Sequence, residues 1–209
     1  MLDFETLPEK EEERRALIRF RLKKSVPFDI DEAALSYFPQ AGKKVVVALA
    51  PSEIVAHYEA PFRAAGLHPG FVTVSSLAML DLLPAHIGSI VVARRSPGSL
   101  TVIAIADGVV TIARSLELSS DPDASRDLLE EITADIYPTL AYIEDQSGDR
   151  PEKLIIAGFG SIAGRDADAA ANRLSVELDI PVETLLEDWP GLAGYLTSLA
   201  PRAGGNAAA

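Results

Sequence analysis

Apolar residues in this chain follow a helical period in some stretches and a strand-like alternation or unbroken run in others. Leu17 with Phe20, and Ile18 with Leu22, meet at i+3 and i+4 and predict a helix over about residues 8–24. Thr6-Leu7-Pro8-Glu9 has the form of a capping box, with proline in the first turn, where its missing N–H costs nothing. Glu9, Glu11, Glu12 and Glu13 lead that helix and a row of cations ends it, which suits the helix dipole at both ends, and Pro27 stops it. Residues 34–38 alternate, and the β-branched run 45–49 reads as a buried strand. Ile54, Val55, Tyr58, Phe62 and Ala65 return to helical spacing up to Gly66, with Pro61 placed to kink the helix. Residues 71–74 read as a short strand, and Ser75 or Ser76 as the cap of a small helix ending near Leu83.

From Ser89 the texture changes. Residues 90–93, 100–106 and 109–114 are three apolar runs separated by turn signals, and Asp107-Gly108 is the strongest hairpin signal in the chain. These predict an antiparallel meander. Leu128, Leu129, Ile132, Ile136, Leu140 and Ile143 then mark a long amphipathic helix with Pro138 inside it and an acidic outer face. Residues 153–157 form a further buried strand that ends in Gly158-Phe159-Gly160-Ser161, followed by a helix over about 166–178 and a short strand at 180–182. The tail from 204 to 209 is small-residue and flexible in character, and no internal repeat is visible.

Composition narrows the class. The chain has 209 residues, 48% of them hydrophobic and none of them cysteine, so it is expected to fold, without disulfides or thiolate chemistry. No apolar run approaches the ~20 residues that span a bilayer, and the first residues are too polar for a signal peptide, so the expectation is a soluble, cytoplasmic protein. The net charge of −12 lies entirely beyond residue 50, since the first 50 residues carry nine acids and nine bases. That surplus of acid argues against general nucleic-acid binding. The basic cluster Arg14, Arg15, Arg19, Arg21, Lys23 and Lys24 reads first as a solvated helix face, and second as a contact for an acidic partner or lipid headgroups.

Candidate chemistry is sparse. His57, His68 and His86 have no ligand spacing, and Ser52, Ser96 and Ser161 lack the G-x-S-x-G setting of a hydrolase. No metal site and no catalytic residue is predicted. The order of meander, helix, strand, glycine turn, helix and strand matches one half of the actin and sugar-kinase architecture, in which two such halves clamp a nucleotide.

The residues also resemble a family. Glu12-Glu13 to Arg19-Phe20-Arg21, then Lys23-Lys24-Ser25-Val26-Pro27-Phe28-Asp29, resembles the charged-helix and Pro-Phe-acid signature of PilM-like proteins. These are actin-fold cytoplasmic components of type IV pilus assembly, related to the division protein FtsA. Ala65-Gly66-Leu67 with Pro69 resembles the family's AGL-x-P turn, residues 154–160 its strand and glycine turn, and Ile180-Pro181-Val182 its final strand. The resemblance implies an α/β (α+β) chain with a partial actin-like (ribonuclease H-like) fold. Residues 1–75 would be the small α/β inserted module, 76–203 the second half of the fold, and 204–209 the tail.

Two departures bear on function. A complete member carries an earlier meander with an Asp-x-Gly phosphate loop, and this chain begins after it; whether Met1 is a natural start stays open. The second phosphate loop is replaced by Arg94-Arg95-Ser96-Pro97-Gly98-Ser99, and Phe159 stands where the adenosine turn has its second glycine. Actin-fold sites cradle phosphates with backbone N–H groups and place Mg²⁺ through acids, and arginines ligate no cation. Gly158, Gly160 and Ser161 are the candidate adenosine turn, beside the plainer reading of a tight strand end. The expectation is therefore no cofactor, with ATP and Mg²⁺ bound only if missing residues complete the fold. What the resemblance implies is a non-catalytic scaffold of the type IV pilus or type II secretion inner-membrane platform, held at the membrane through partners. It would bind the cytoplasmic N-terminal peptide of a PilN-like membrane protein, with Arg19, Phe20, Lys23, Pro27 and Phe28 as candidate contacts, and self-association is allowed. The alternative is half of an actin-fold ATPase or phosphotransferase whose phosphate-binding elements lie upstream of Met1 or on another chain.

Overall fold

The structure, a computed structural model, describes residues 1–84, 88–118, 128–160, 167–185 and 190–199. The chain divides into two compact units, Met1–Thr73 and Val74–Ala209.

In the first unit, β1 (Leu2–Asp3), β2 (Ala33–Pro39) and β3 (Lys44–Pro51) form an antiparallel sheet in the order β1-β3-β2. Helix α1 (Glu11–Leu22) packs Ile18 against Phe4, Leu35 and Val45, with Leu17 and Leu22 at the margin of this small core. The acid-first, base-last arrangement of α1 is as expected, but the helix starts at Glu11 and its N-cap, Lys10, makes no side-chain capping bond. The predicted start at residue 8 and the Thr6 capping box are thus corrected. The Phe4 amide donates to the Lys43 carbonyl, and Phe4 and Leu7 join the core, so the segment before α1 follows the sheet instead of the helix. Within β3 only Val45 is fully buried. Helix α2 (Ser52–Ala64) runs through Pro61 and ends before Gly66, whose φ is +76°. It buries no residue, and Ile54, Tyr58 and Phe62 stand open. Residues 71–74 form no strand, and Phe71, Val72 and Val74 are exposed, so β-propensity alone does not make a strand of them.

The second unit opens with α3 (Ser75–Ala78) and a 3₁₀ turn over Met79–Leu82. Strands β4 (Ser89–Ser96), β5 (Ser99–Ala106) and β6 (Val109–Glu117) form the predicted meander. Asp107 and Gly108, at φ 51° and 75°, supply the two positive dihedrals that a tight primed hairpin requires. Helix α4 (Leu128–Ser147) then crosses over to β7 (Lys153–Ala157), which lies parallel to β4, and α5 (Ala167–Leu178) crosses to β8 (Val182–Leu185). The predicted strand at 180–182 therefore begins at its last residue and runs on to Leu185. The sheet order is β6-β5-β4-β7-β8.

One face of this sheet, including Val91, Val102, Leu154 and Ile156, packs against Leu129, Ile132 and Ile136 of α4 and Leu174 of α5. Each fully buried aliphatic side chain of this kind contributes about 1.5–3 kcal/mol. A final helix, α6 (Pro190–Leu199), was not predicted. It lies against α3 and the 3₁₀ turn because Gly191 and Gly194 carry no side chain: a Cβ on Gly194 would stand 2.0 Å from the Ala78 carbonyl oxygen.

Candidate functional site

The glycine turn follows β7 in the second unit. Gly158 has φ +79°, and a Cβ there would stand 2.4 Å from the carbonyl oxygen of Arg95 at the end of β4. The close approach that Gly158 permits is thus to the chain's own backbone. Phe159 is 1% exposed and is among the largest fully buried side chains, so it completes the core. Gly160 faces open space, with nothing within 4 Å of its added Cβ. Ser161 lies outside the described residues. The structure brings Gly158 and Gly160 to one strand end, with only Gly160 facing outward.

At the same end of the sheet, the β4–β5 turn is a short hairpin with Gly98 at φ +72°. Arg94 reaches from β4 to donate from Nη1 to the Ser75 hydroxyl at 2.8 Å, and burial pulls its pKa below the ordinary guanidinium value. This turn offers no carboxylate oxygen, so its residues do not fit a magnesium-bound triphosphate. Among the described residues no three of His, Asp and Glu converge in a way that would hold a metal ion.

The candidate partner contacts all lie in the first unit, and the structure gives them different tasks. Arg19 donates from Nη2 to the Ala33 carbonyl at 3.1 Å and from Nη1 to the Ile30 carbonyl, so its fork is engaged within the unit. Lys23 pairs with Asp31 at 3.8 Å, both well exposed, a weak contact in water. Pro27 is exposed and Phe28 half-buried. Phe20 is 76% exposed and stands on the rim of an open depression of about 730 Å³. Phe4 and Leu17 give that depression an apolar floor, Asp3, Glu5 and Arg21 a charged margin, and neither Pro27 nor Phe28 lines it. Arg21 stacks over the Phe4 ring at 5.6 Å and donates to the Asp3 carbonyl at 3.1 Å. The sequence offers Phe20 as a candidate contact by resemblance and Arg21 as part of the basic cluster, but not Phe4, because what brings Phe4 to α1 is the pairing of β1 with β3.

No protein-family model matches the sequence, and no curated protein matches it significantly. Solved structures do. The chain is similar to the structure described as the PilM–PilN type IV pilus biogenesis complex, with a TM-score of 0.72 and 20% identity over 92% of this chain and 73% of that one. It is also similar to a Bacteroides thetaiotaomicron protein with an actin-like ATPase fold and unknown function, with a TM-score of 0.56 and 13% identity over 90% of this chain and 66% of that one. The chain therefore has the actin-like ATPase fold, in part, as the element order predicted. No helix among the described residues is long and apolar enough to cross a membrane.

Proposed function

We propose that this chain is a non-catalytic scaffold of a type IV pilus or type II secretion inner-membrane platform, and that it binds the cytoplasmic N-terminal peptide of a PilN-like membrane protein. It works on the cytoplasmic side, held at the membrane through that partner. The observation that carries this reading is the overlap of 92% of the chain with a structure of the PilM–PilN complex. Two features support it. The β4–β5 turn presents arginines where a nucleotide clamp needs an acid, and Gly158 is occupied by packing on Arg95. In the first unit, Phe20 stands open beside a depression with an apolar floor and a charged margin, a pairing that suits a short peptide with an apolar anchor.

Titration of the labelled PilN-like N-terminal peptide by fluorescence anisotropy tests the proposal. Binding by the wild type and a loss of about tenfold or more in Phe20→Ala are expected, and an equal loss in Phe28→Ala alone would move the site away from the depression. No binding by the wild type overturns the partner. The rival reading, half of an actin-fold ATPase, draws on Gly160 facing open space. It requires ATP with Mg²⁺ to raise the melting temperature, since a ligand stabilises only the state it binds; no shift is expected here.

A further inference from the structure

Arg94 lies near the end of β4, on the face of the sheet it shares with Ile90 and Val92, opposite to the face that packs on α4. Its Nη1 donates to the Ser75 hydroxyl at 2.8 Å, the one bond its guanidinium makes among the described residues. Nε is shut off from water without a partner, whereas Nη2 is neither bonded nor enclosed. Burial alone holds the pKa of Arg94 below the ordinary value, with no carboxylate among the described residues acting against it. A cation drawn partly out of water with no opposite charge beside it is unfavourable, and an anion at Nη2 would relieve it. The side chains around Arg94 add donors. Ser75 accepts from Nη1, which leaves its own hydrogen to donate. Thr101 stands directly opposite Arg94 on β5, and Ser115 directly opposite Thr101 on β6, so the three side chains form one row on one face. The Thr101 and Ser115 hydroxyls are 3.0 Å apart, so one hydrogen is spent between them and the other remains. On the far side of Arg94 the row continues with Ala157 of β7.

We propose that Arg94, Ser75 and Thr101 bind a small tetrahedral oxyanion, of which inorganic phosphate is the simplest member. The row holds a guanidinium and hydroxyls and no carboxylate, so every group in it can donate to an anion. Donors arriving from a strand, a neighbouring strand and α3 suit an ion whose acceptor oxygens point in several directions, more than a flat carboxylate that one guanidinium fork satisfies. The donors are side chains on the strand face, where a nucleotide clamp uses the amides of its turns. This inference does not rest on the pilus reading, since every residue in it lies in the second unit.

The test is the melting temperature of the full chain during a titration with inorganic phosphate at constant ionic strength, comparing wild type with Arg94→Met. Phosphate is expected to raise the wild-type melting temperature by about 2 °C or more at saturation. Arg94→Met sheds the uncompensated charge, so it is expected to melt no lower than the wild type without phosphate and to gain less from it. Thr101→Val is expected to weaken the apparent affinity about fivefold. Sulfate should act as phosphate does, and acetate should not. A salt that works by exclusion from the surface raises both proteins alike, so an equal rise in wild type and Arg94→Met overturns the proposal. So does the absence of any rise in the wild type, and an equal response to acetate overturns the tetrahedral class. Should Arg94→Met fail to fold, Ser75→Ala/Thr101→Val removes two donors and keeps the charge, and an undiminished phosphate response in that variant overturns the site.

Discussion

Arg114 of β6 donates from Nη2 to the main-chain carbonyl of Asp135, in the middle of α4. The bond falls one turn before Pro138, whose missing N–H interrupts the helix's own ladder. Pro138 leaves the Ala134 carbonyl without its helical donor, and Arg114 binds the carbonyl next to it, which ties the outermost strand of the meander to the crossover. Arg114→Met, which keeps the stem but not the fork, is expected to lower stability by about 1–2 kcal/mol. Urea unfolding followed by circular dichroism measures it, and an unchanged midpoint would count against the tie.

The side chain of Asp135 has the opposite influence. Burial, and then the nearby charge of Glu131, raise its pKa above the ordinary carboxylate value, with Arg114 pulling the other way. A raised pKa means the folded chain holds the proton more tightly than the unfolded chain. The associated stability is fully present below the unfolded value, about 3.9, and is lost as pH rises through the folded value. At neutral pH the ionised group is thus a small liability. Asp135→Asn is expected to stabilise by about 0.3–0.5 kcal/mol at pH 7, water screening keeping the gain small. The gain should shrink below about pH 4. Melting curves at the two pH values give the difference; an equal effect at both would refute the assignment.

Gly158 and Gly160 should respond differently to the same methyl group. Alanine at 158 meets both a positive φ and the Arg95 carbonyl, and is expected to cost about 2–4 kcal/mol. Alanine at 160 enters open space and should stay within about 0.5 kcal/mol. Paired denaturation curves decide it, and equal losses would mean that the turn is not packed as described.

A third glycine governs α6. Gly194→Ala would drive a methyl into the Ala78 carbonyl, and is expected to release α6 from α3 at a cost of about 1–3 kcal/mol. Limited proteolysis should then cut the chain within 190–199 while the sheet remains intact. Resistance equal to wild type would argue against the docking.

How much of this could be read beforehand depended on where the information lay. The meander was legible because Asp107-Gly108 specifies its own turn, and α4 because its apolar stripe repeats over about four turns. Helix α6 was missed because its docking rests on side chains that are absent at Gly191 and Gly194, and a search for apolar periods registers only those present. The Thr6 cap failed because the bond from the Phe4 amide to Lys43 spans 39 residues, beyond any local pattern. Among the candidate contacts, the cationic row on α1 was visible as charge alone. That Arg15 and Arg19 spend their donors on carbonyls 20 and 14 residues away depends on the helix lying beside β2. Phe20 entered as a candidate through the family resemblance, and its exposure is not legible in a helical period that pairs it with Leu17.

Strand β4 takes bonds from β5 on one side and β7 on the other, so it belongs at once to a local hairpin and to a closure that joins residues more than sixty positions apart. Successive amides of β4 point to opposite neighbours, so Val91 and Val92 are held from different sides, one by β5 and one by β7. Both residues are fully buried, and a common exchange rate for the two amides would mean that the hairpin and the crossover open together, which makes the pair a clock for the global lifetime of the second unit.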